Sequence, residues 1–239
     1  MHRRLIPFAL LVGCAAPHFH SQTLPELVAQ AKAKPAPALP LLLAPNERMI
    51  WDVSAHGMTI GRVELLVGAI DVRSSFSTTG LASAFANAHH ELATQLDRGA
   101  GRPTAMSETL VFDGETDHTE AQLAPTGYTI GGAAHAIPDH QIAHTMHSAL
   151  GWVRSWARPG VPNAYLLVLH LDKLYRLDVA APVAEDLNGT RTLRVDCEVR
   201  APDRSDPVPF SVWLTADAAR LPLKLVFDTR SGHITAELI

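Results

Sequence analysis

The sequence predicts a mainly β fold of the α+β class, built as an antiparallel meander and capped by one or two helices. From residue 46 onward, apolar and polar residues alternate with period two in run after run, as a sheet with one buried face requires. Between the runs stand pairs that turn a chain tightly, Asp172-Lys173, Asn188-Gly189 and Ser231-Gly232. Links this short join antiparallel neighbours and leave no room for βαβ crossovers. One long segment carries the 3.6-residue period of an amphipathic helix.

The chain opens MHRRLIPFALLVGC: Arg3 and Arg4, an apolar stretch from Leu5 to Val12, then Gly13 and Cys14. A charged start, a short apolar run and a small residue are the layout of a signal peptide. The run is too short to cross a bilayer, which takes roughly 20 apolar residues. Leu11, Val12, Gly13 and Cys14 resemble the lipobox of bacterial lipoproteins, in which the chain is cut before a cysteine that receives a diacylglycerol. Residues 1–13 are therefore expected to be a lipoprotein signal peptide, Cys14 the lipidation site, residues 14–45 a lipidated, proline-rich tether, and residues 46–239 the β-rich domain. Ala15 in place of an aspartate points to the outer membrane, facing the periplasm. Lipidation of Cys14 leaves Cys197 without a partner, so no intrachain disulfide is expected.

Within the N-terminal segment, residues 21–34 have the spacing of a short amphipathic helix. Residues 34–45, KPAPALPLLLAP, hold four prolines, which favour extended polyproline geometry. In the domain, Met49, Trp51 and Val53 alternate with Ile50, Asp52 and Ser54; His56-Gly57-Met58 turns the chain; Val63, Leu65 and Val67 complete a hairpin. Ile70, Val72, Ser74 and Phe76 suggest a third strand, and residues 81–90 a short alanine-rich helix. Residues 106–112 and 127–131 are further strand candidates.

The main helix is expected over residues 139–156, opening at Pro138-Asp139 and ending before Pro159-Gly160. Strands follow at 165–171, 175–179, 191–200, 208–215, 223–227 and 234–238. Cys197, with Leu193, Val195 and Val199, lies on the apolar face of one of them and reads as a core thiol. Residues 165–171 break the alternation, because Leu167, Leu169 and Leu171 share one face while Leu166 and Val168 are apolar on the other. Such a strand needs cover on both faces, and one helical cap covers only part of a sheet. Leu166, Val168 and Trp213 are thus candidates for an apolar groove.

A net charge of −4 and 47% hydrophobic residues argue against a disordered chain and a nucleic-acid binder. No nucleophile elbow, phosphate-cradling glycine loop or zincin motif is present, and His90-Glu91 lacks the second histidine of HExxH because Thr94 stands there. No cofactor and no catalytic residue are expected. Thirteen histidines invite a metal reading, densest at His135, His140, His144 and His147. On the predicted helix His140, His144 and His147 form a stripe opposite the apolar face, shared with Arg154: a solvated, weak chelate, dispensable for folding.

Residues 210–238, FSVWLTADAARLPLKLVFDTRSGHITAEL, resemble the closing segment of the bacterial family called domain of unknown function 3108. The resemblance lies in the strand of Trp213, the turn of Asp217 and Arg220, Leu221-Pro222 opening a strand, and a last strand led by Gly232 and ending in Glu237-Leu238. Trp51 to Leu65, with Gly57 and Gly61, resembles that family's first hairpin, and Ser148 to Trp156 its central helix. The likeness covers residues 49–239 and implies an exported envelope protein whose single curved antiparallel sheet is similar to the open half-barrel of Lol-type lipoprotein carriers. Its motifs are structural and name no active site.

These readings together predict a non-catalytic envelope lipoprotein, held to the membrane by its N-terminal lipid, that shelters an acyl chain or other apolar ligand on a curved sheet. The alternative is a structural or assembly lipoprotein that works with an envelope protein partner and no ligand. Metal binding through the histidine-rich helix is the third reading.

Overall fold

The computed structural model describes Glu26, Val28 and residues 33–80, 82–137, 141–203, 206–229 and 232–239. Cys14, the signal peptide, the Pro138-Asp139 helix start and His140 lie outside the described residues, as does most of the helix expected over 21–34, of which Glu26 and Val28 are helical.

The described residues form one mixed but overwhelmingly antiparallel sheet of seventeen strands. After the short β1 (Lys34–Pro35) comes a meander of β2 (Arg48–Ala55), β3 (Met58–Val67), β4 (Asp71–Thr78), β5 (Ala88–Asp97), β6 (Arg102–Phe112), β7 (Glu115–Ala124), β8 (Gly127–Ile130) and β9 (Ala133–Ala136). A one-turn helix, α1 (Ala82–Phe85), interrupts it between β4 and β5. β10 (Ala143–His144) and helix α2 (Met146–Trp156) lead to a second meander of β11 (Ala164–His170), β12 (Lys173–Val179), β13 (Val183–Leu187), β14 (Thr190–Arg200), β15 (Val208–Thr215), β16 (Pro222–Thr229) and β17 (Gly232–Leu238). The meanders join where β17 pairs antiparallel with β2, while β1 and β10 add to β11 in parallel. The single curved sheet expected from the sequence is what forms.

The turn expected at Asp172-Lys173 falls one residue earlier, at Leu171-Asp172, because Lys173 already pairs with His170 in the ladder, while the turn at 188–189 forms where the sequence puts it. Asn188 and Gly189 both take left-handed φ, 52° and 83°, the conformation of the type I′ hairpin that Asn-Gly favours. Residues 81–90 do not form the helix expected of them: α1 covers one turn, and the chain is already strand at Ala88. The cause is cross-strand pairing. His89 and His90 sit between Ser77 and Phe76 of β4 on one side and Val111 and Leu110 of β6 on the other, so ladder bonds outweigh alanine's weak helical preference.

The sheet rolls past closure. On β11, Leu166 and Val168 face the interior with Leu177, Val179 and Leu193, while Tyr165, Leu167 and Leu169 point outward. There they meet Leu92, Met106, Ala121 and Leu123, which share a face with the interior residues of β5 and β6. The concave face of the β5–β7 end thus lies on the convex face of the β11 end, and every residue of β11 is buried.

Helix α2 plugs one end of the roll. Thr145 caps it: its hydroxyl accepts from the Ser148 backbone N–H, and the Ser148 hydroxyl returns a bond from the Thr145 backbone N–H, a capping box. The helix therefore begins at Met146, seven residues after the expected start. Trp152 and Trp156 stack at 5.3 Å and pack on the Leu166, Val179 and Leu193 side.

The residues read as a tether, 34–45, are instead part of this packing. Trp152 Nε1–H donates to the Pro37 carbonyl at 2.8 Å, Leu42 N–H to the Gly151 carbonyl at 3.0 Å, and Leu43 is buried. Gly151 is required at the crossing, because a Cβ there would stand 2.8 Å from the Leu43 side chain. The strap covers the face of α2 that the sequence left to solvent. Arg154, expected on a solvated stripe, is 1% exposed; it holds Glu47 through bonds of 2.8 and 2.6 Å and donates to the Ala219 and Arg220 carbonyls.

Arg154→Met leaves the nearly buried Glu47 carboxylate and two carbonyls without their donor. The expected loss is about 3–5 kcal/mol of unfolding free energy, the cost of an uncompensated buried charge. Urea denaturation checks it, and a loss below about 1 kcal/mol would show that the pair does not hold strap, helix and β16 approach together.

Candidate functional site

The interior of the roll is not filled. A cavity of about 560 Å³ lies between α2 and the strands, within the range of small-molecule sites. Its walls come from both meanders: Trp51 and Leu65 from β2 and β3, Leu177 and Val212 from β12 and β15, Leu225 and Ala236 from β16 and β17. These residues are apolar because the period-two pattern turns one side of each strand inward. Helix α2 contributes Met146, Ala149, Leu150 and Val153 at one end. The other end, beside the hairpin turns, is flanked by α1 and by Phe76, Phe210 and Phe227, the last two stacked at 5.0 Å.

The groove residues expected from sequence divide three ways. Val168 lines the cavity. Leu166 is packed in the core beside it and is not on the wall. Trp213 is a correction: Val212 and Leu214 are buried, so alternation places Trp213 on the opposite face, half-buried between Arg194 and Lys224 of the adjacent strands. The second apolar face of β11 is not a groove either, since the overlapping β5–β7 end covers it. Cys197 is the buried core thiol expected, with burial first and then the carboxylates of Asp196 and Asp178 pushing its ionisation far up. That keeps the thiol protonated and inert.

One wall is polar. At the overlap, Glu108 of β6 is buried completely, and its Oε1 accepts bonds of 2.6 Å from both His90 Nε2 of β5 and His170 Nδ1 of β11. Its Oε2 accepts the backbone N–H of Leu171 at 2.7 Å, at a turn where Leu171 holds a left-handed φ of 50°. Burial alone would push this carboxyl up. The hydrogen bonds from His170 and His90, with their charge, outweigh it and hold Glu108 down at about 2. Both imidazoles border the cavity.

The histidine stripe is the second correction. His144 and His147 are buried, not solvated, because β10 and the start of α2 are wedged between β11 and β5. His147 Nε2 meets the Ser74 hydroxyl at 2.8 Å and Nδ1 meets Thr94 Oγ1 at 3.0 Å, while Thr94 donates its one proton to Thr145 at 2.9 Å. Nδ1 must therefore carry the proton and Nε2 accept, which is the neutral tautomer. His144 Nδ1 bonds Ser148 at 3.2 Å. His147 thus has both ring nitrogens engaged, and His144 and His147 do not converge on a common centre. Among the described residues the group that does converge is His90, Glu108 and His170. As a local motif His90-Glu91 fails because Thr94 takes the place of the second histidine, and the partners His90 does have lie 18 and 80 positions away on other strands.

Neither protein-family models nor curated proteins give a match to this chain. Among solved structures, it is similar to a β-barrel-like protein of domain of unknown function 1849 from Brucella abortus, at 12% identity over 80% of this chain and 94% of that one, with a TM-score of 0.58. The shared property is the fold. The lipoprotein LppX of Mycobacterium tuberculosis aligns at 12% identity over 80% of this chain and 84% of its own, with a TM-score of 0.27.

Burial disfavours the charged imidazolium and lowers His144 to about 4 and His147 to about 3 from an ordinary 6.5. Above pH 6.5 both rings are neutral folded or unfolded. Below it the unfolded chain binds protons that the folded chain refuses, so stability falls as pH drops from 6.5 toward 4 at His144 and toward 3 at His147. Glu108 extends the loss from 4.5 down to about 2, because its folded form stays ionised. His147→Gln should lower stability at pH 7 by about 1–2 kcal/mol yet flatten its fall between pH 6 and 4. Urea unfolding at stepped pH reads both effects, and an unchanged slope counts against a neutral, buried His147.

Proposed function

We propose that this protein is an exported, non-catalytic envelope lipoprotein that shelters an apolar, lipid-like ligand inside the rolled sheet. The observation that carries the reading is the cavity of about 560 Å³, walled by apolar side chains from both meanders and plugged at one end by α2. Apolar surface facing an unfilled volume loses packing contacts, and an apolar occupant restores them. The aromatic residues at the end away from α2 give a ligand a stiff, apolar way in. On the wall to one side of this path stand His90 and His170, which bond to the buried Glu108 behind it.

Anchoring rests on Cys14, whose diacylglycerol supplies the two chains that stable membrane attachment takes. In this reading the lipid holds the protein on the periplasmic side of the outer membrane. Because residues 37–43 pack on α2, a soluble form must keep everything from residue 33 onward; a cut at residue 45 would remove the strap from the helix that plugs the roll.

Protein purified from its host without detergent should release an acyl lipid on organic extraction, identified by mass spectrometry. The delipidated form should bind a fluorescent fatty acid. Val212→Phe with Ala236→Phe, which fills the cavity from two strands, should weaken that binding at least tenfold, about 1.4 kcal/mol, while circular dichroism stays that of a β protein. Absence of both extracted lipid and probe binding would favour the structural or assembly reading.

Cys14→Ser should move the protein from the membrane fraction to the soluble one and abolish labelling by a fatty-acid precursor. A variant that still sediments with membranes without label would remove the lipoprotein assignment.

A further inference from the structure

We propose that His90, Glu108 and His170 are a binding site for one divalent transition metal, Zn²⁺ before others, with an open coordination position turned to the cavity. The inference goes beyond the ligand reading and stands whether or not the cavity holds a lipid.

The donor atoms are His90 Nε2, His170 Nδ1 and Glu108 Oε1, all within 4.8 Å of one another. Two imidazole nitrogens and one carboxylate oxygen are the set that zinc takes where three protein ligands leave a fourth position open. Zinc binds such atoms at about 2.0–2.2 Å, which sets tetrahedral ligands about 3.4 Å apart. The two contacts of 2.6 Å to Oε1 therefore have to widen by less than 1 Å. Adjacent antiparallel strands and a side-chain overlap, not a continuous ladder, join the three residues, so that movement breaks no backbone pairing between β6 and β11.

The surroundings hold the ligands as metal ligands are held. Glu108 Oε2 is fixed by the Leu171 N–H, which leaves Oε1 as the free donor and orients the carboxylate. His170 lies 5.9 Å from the Tyr175 ring and 6.0 Å from that of His90, so both imidazoles are confined by aromatic neighbours. Side-chain exposure is 15% at His90, 4% at His170 and 0% at Glu108, a site shielded from bulk water. Metal binding needs a lone pair at His90 Nε2 and His170 Nδ1, so in each neutral ring the proton that now points at Glu108 moves to the other ring nitrogen, and a ring protonated on both nitrogens releases one proton to solvent. Since His90 and His170 both border the cavity, the fourth position faces it, ready for a water or an oxygen donor on a cavity ligand.

The test uses the untagged full chain treated with chelator and then titrated with ZnCl₂ by calorimetry. One equivalent should bind, and a rise in melting temperature should accompany saturation. His90→Ala and Glu108→Gln should each weaken binding by about 100-fold or more, while His118→Ala, at an exposed histidine, should leave it unchanged. Loading the unmutated protein with Co²⁺ should give the intense visible absorption of a four-coordinate site, a readout independent of whether the variants fold. Absence of that spectrum, binding well below one equivalent, or zinc affinity indifferent to both substitutions would overturn the proposal. Failure of the fatty-acid probe to bind would bear on the cavity ligand and leave this site untouched.

Discussion

β11 buries both of its faces, Leu166 and Val168 inward and Tyr165, Leu167 and Leu169 outward, and a strand so placed must have protein on either side. The interior side is ordinary, since every strand of a curved sheet has one. The outer side is covered by the sheet itself, whose β5–β7 end comes round to lie upon it. The rest of the architecture answers to that overlap. Glu108 reaches His170 because the overlap brings β6 over β11, and α2 can plug the roll because β10, at the sheet's far edge, enters at its side.

Much of this was legible. Met49, Trp51 and Val53, or Leu193, Val195 and Cys197, alternate cleanly enough to place a strand and choose its buried face, and the structure keeps both choices. β7, with the sequence ETDHTEAQLA, was not legible as a strand: its outer face is acidic and polar, and its inward Thr119, Ala121 and Leu123 are too small or too few to make a pattern. The lack of alternation at β11 correctly required cover on both sides. What supplied the cover was not readable, because it depends on how far a sheet curls, which is a sum of many small twists.

The helix misled for a different reason. Its apolar positions are real, but one-sided amphipathicity does not mean that the other side meets water. The strap of residues 37–43 meets that side at Gly151, Trp152 and Ser155, while Arg154 is covered by Glu47 and the Ala219 and Arg220 carbonyls, and His147 by Ser74 and Thr94. Arg154 and His147 are polar because their neighbours are polar, and sequence alone does not distinguish that from solvent. The His90, Glu108 and His170 cluster was hidden more deeply. Three strands contribute to it, two from one meander and one from the other, and no spacing rule connects them.

A closed barrel has its girth set by strand number and shear, so its bore changes only when whole strands are added or slipped. This sheet has free margins, and its circumference is fixed where side chains of β5–β7 rest on those of β11. Exchanging Leu167 or Met106 for a larger or smaller neighbour would let the two margins ride further apart or closer, altering the bore in small steps without disturbing a hydrogen-bonded pair. Such a scroll is a chassis whose calibre is graded by residue size, so the width of the space it encloses can change while its strand count stays the same.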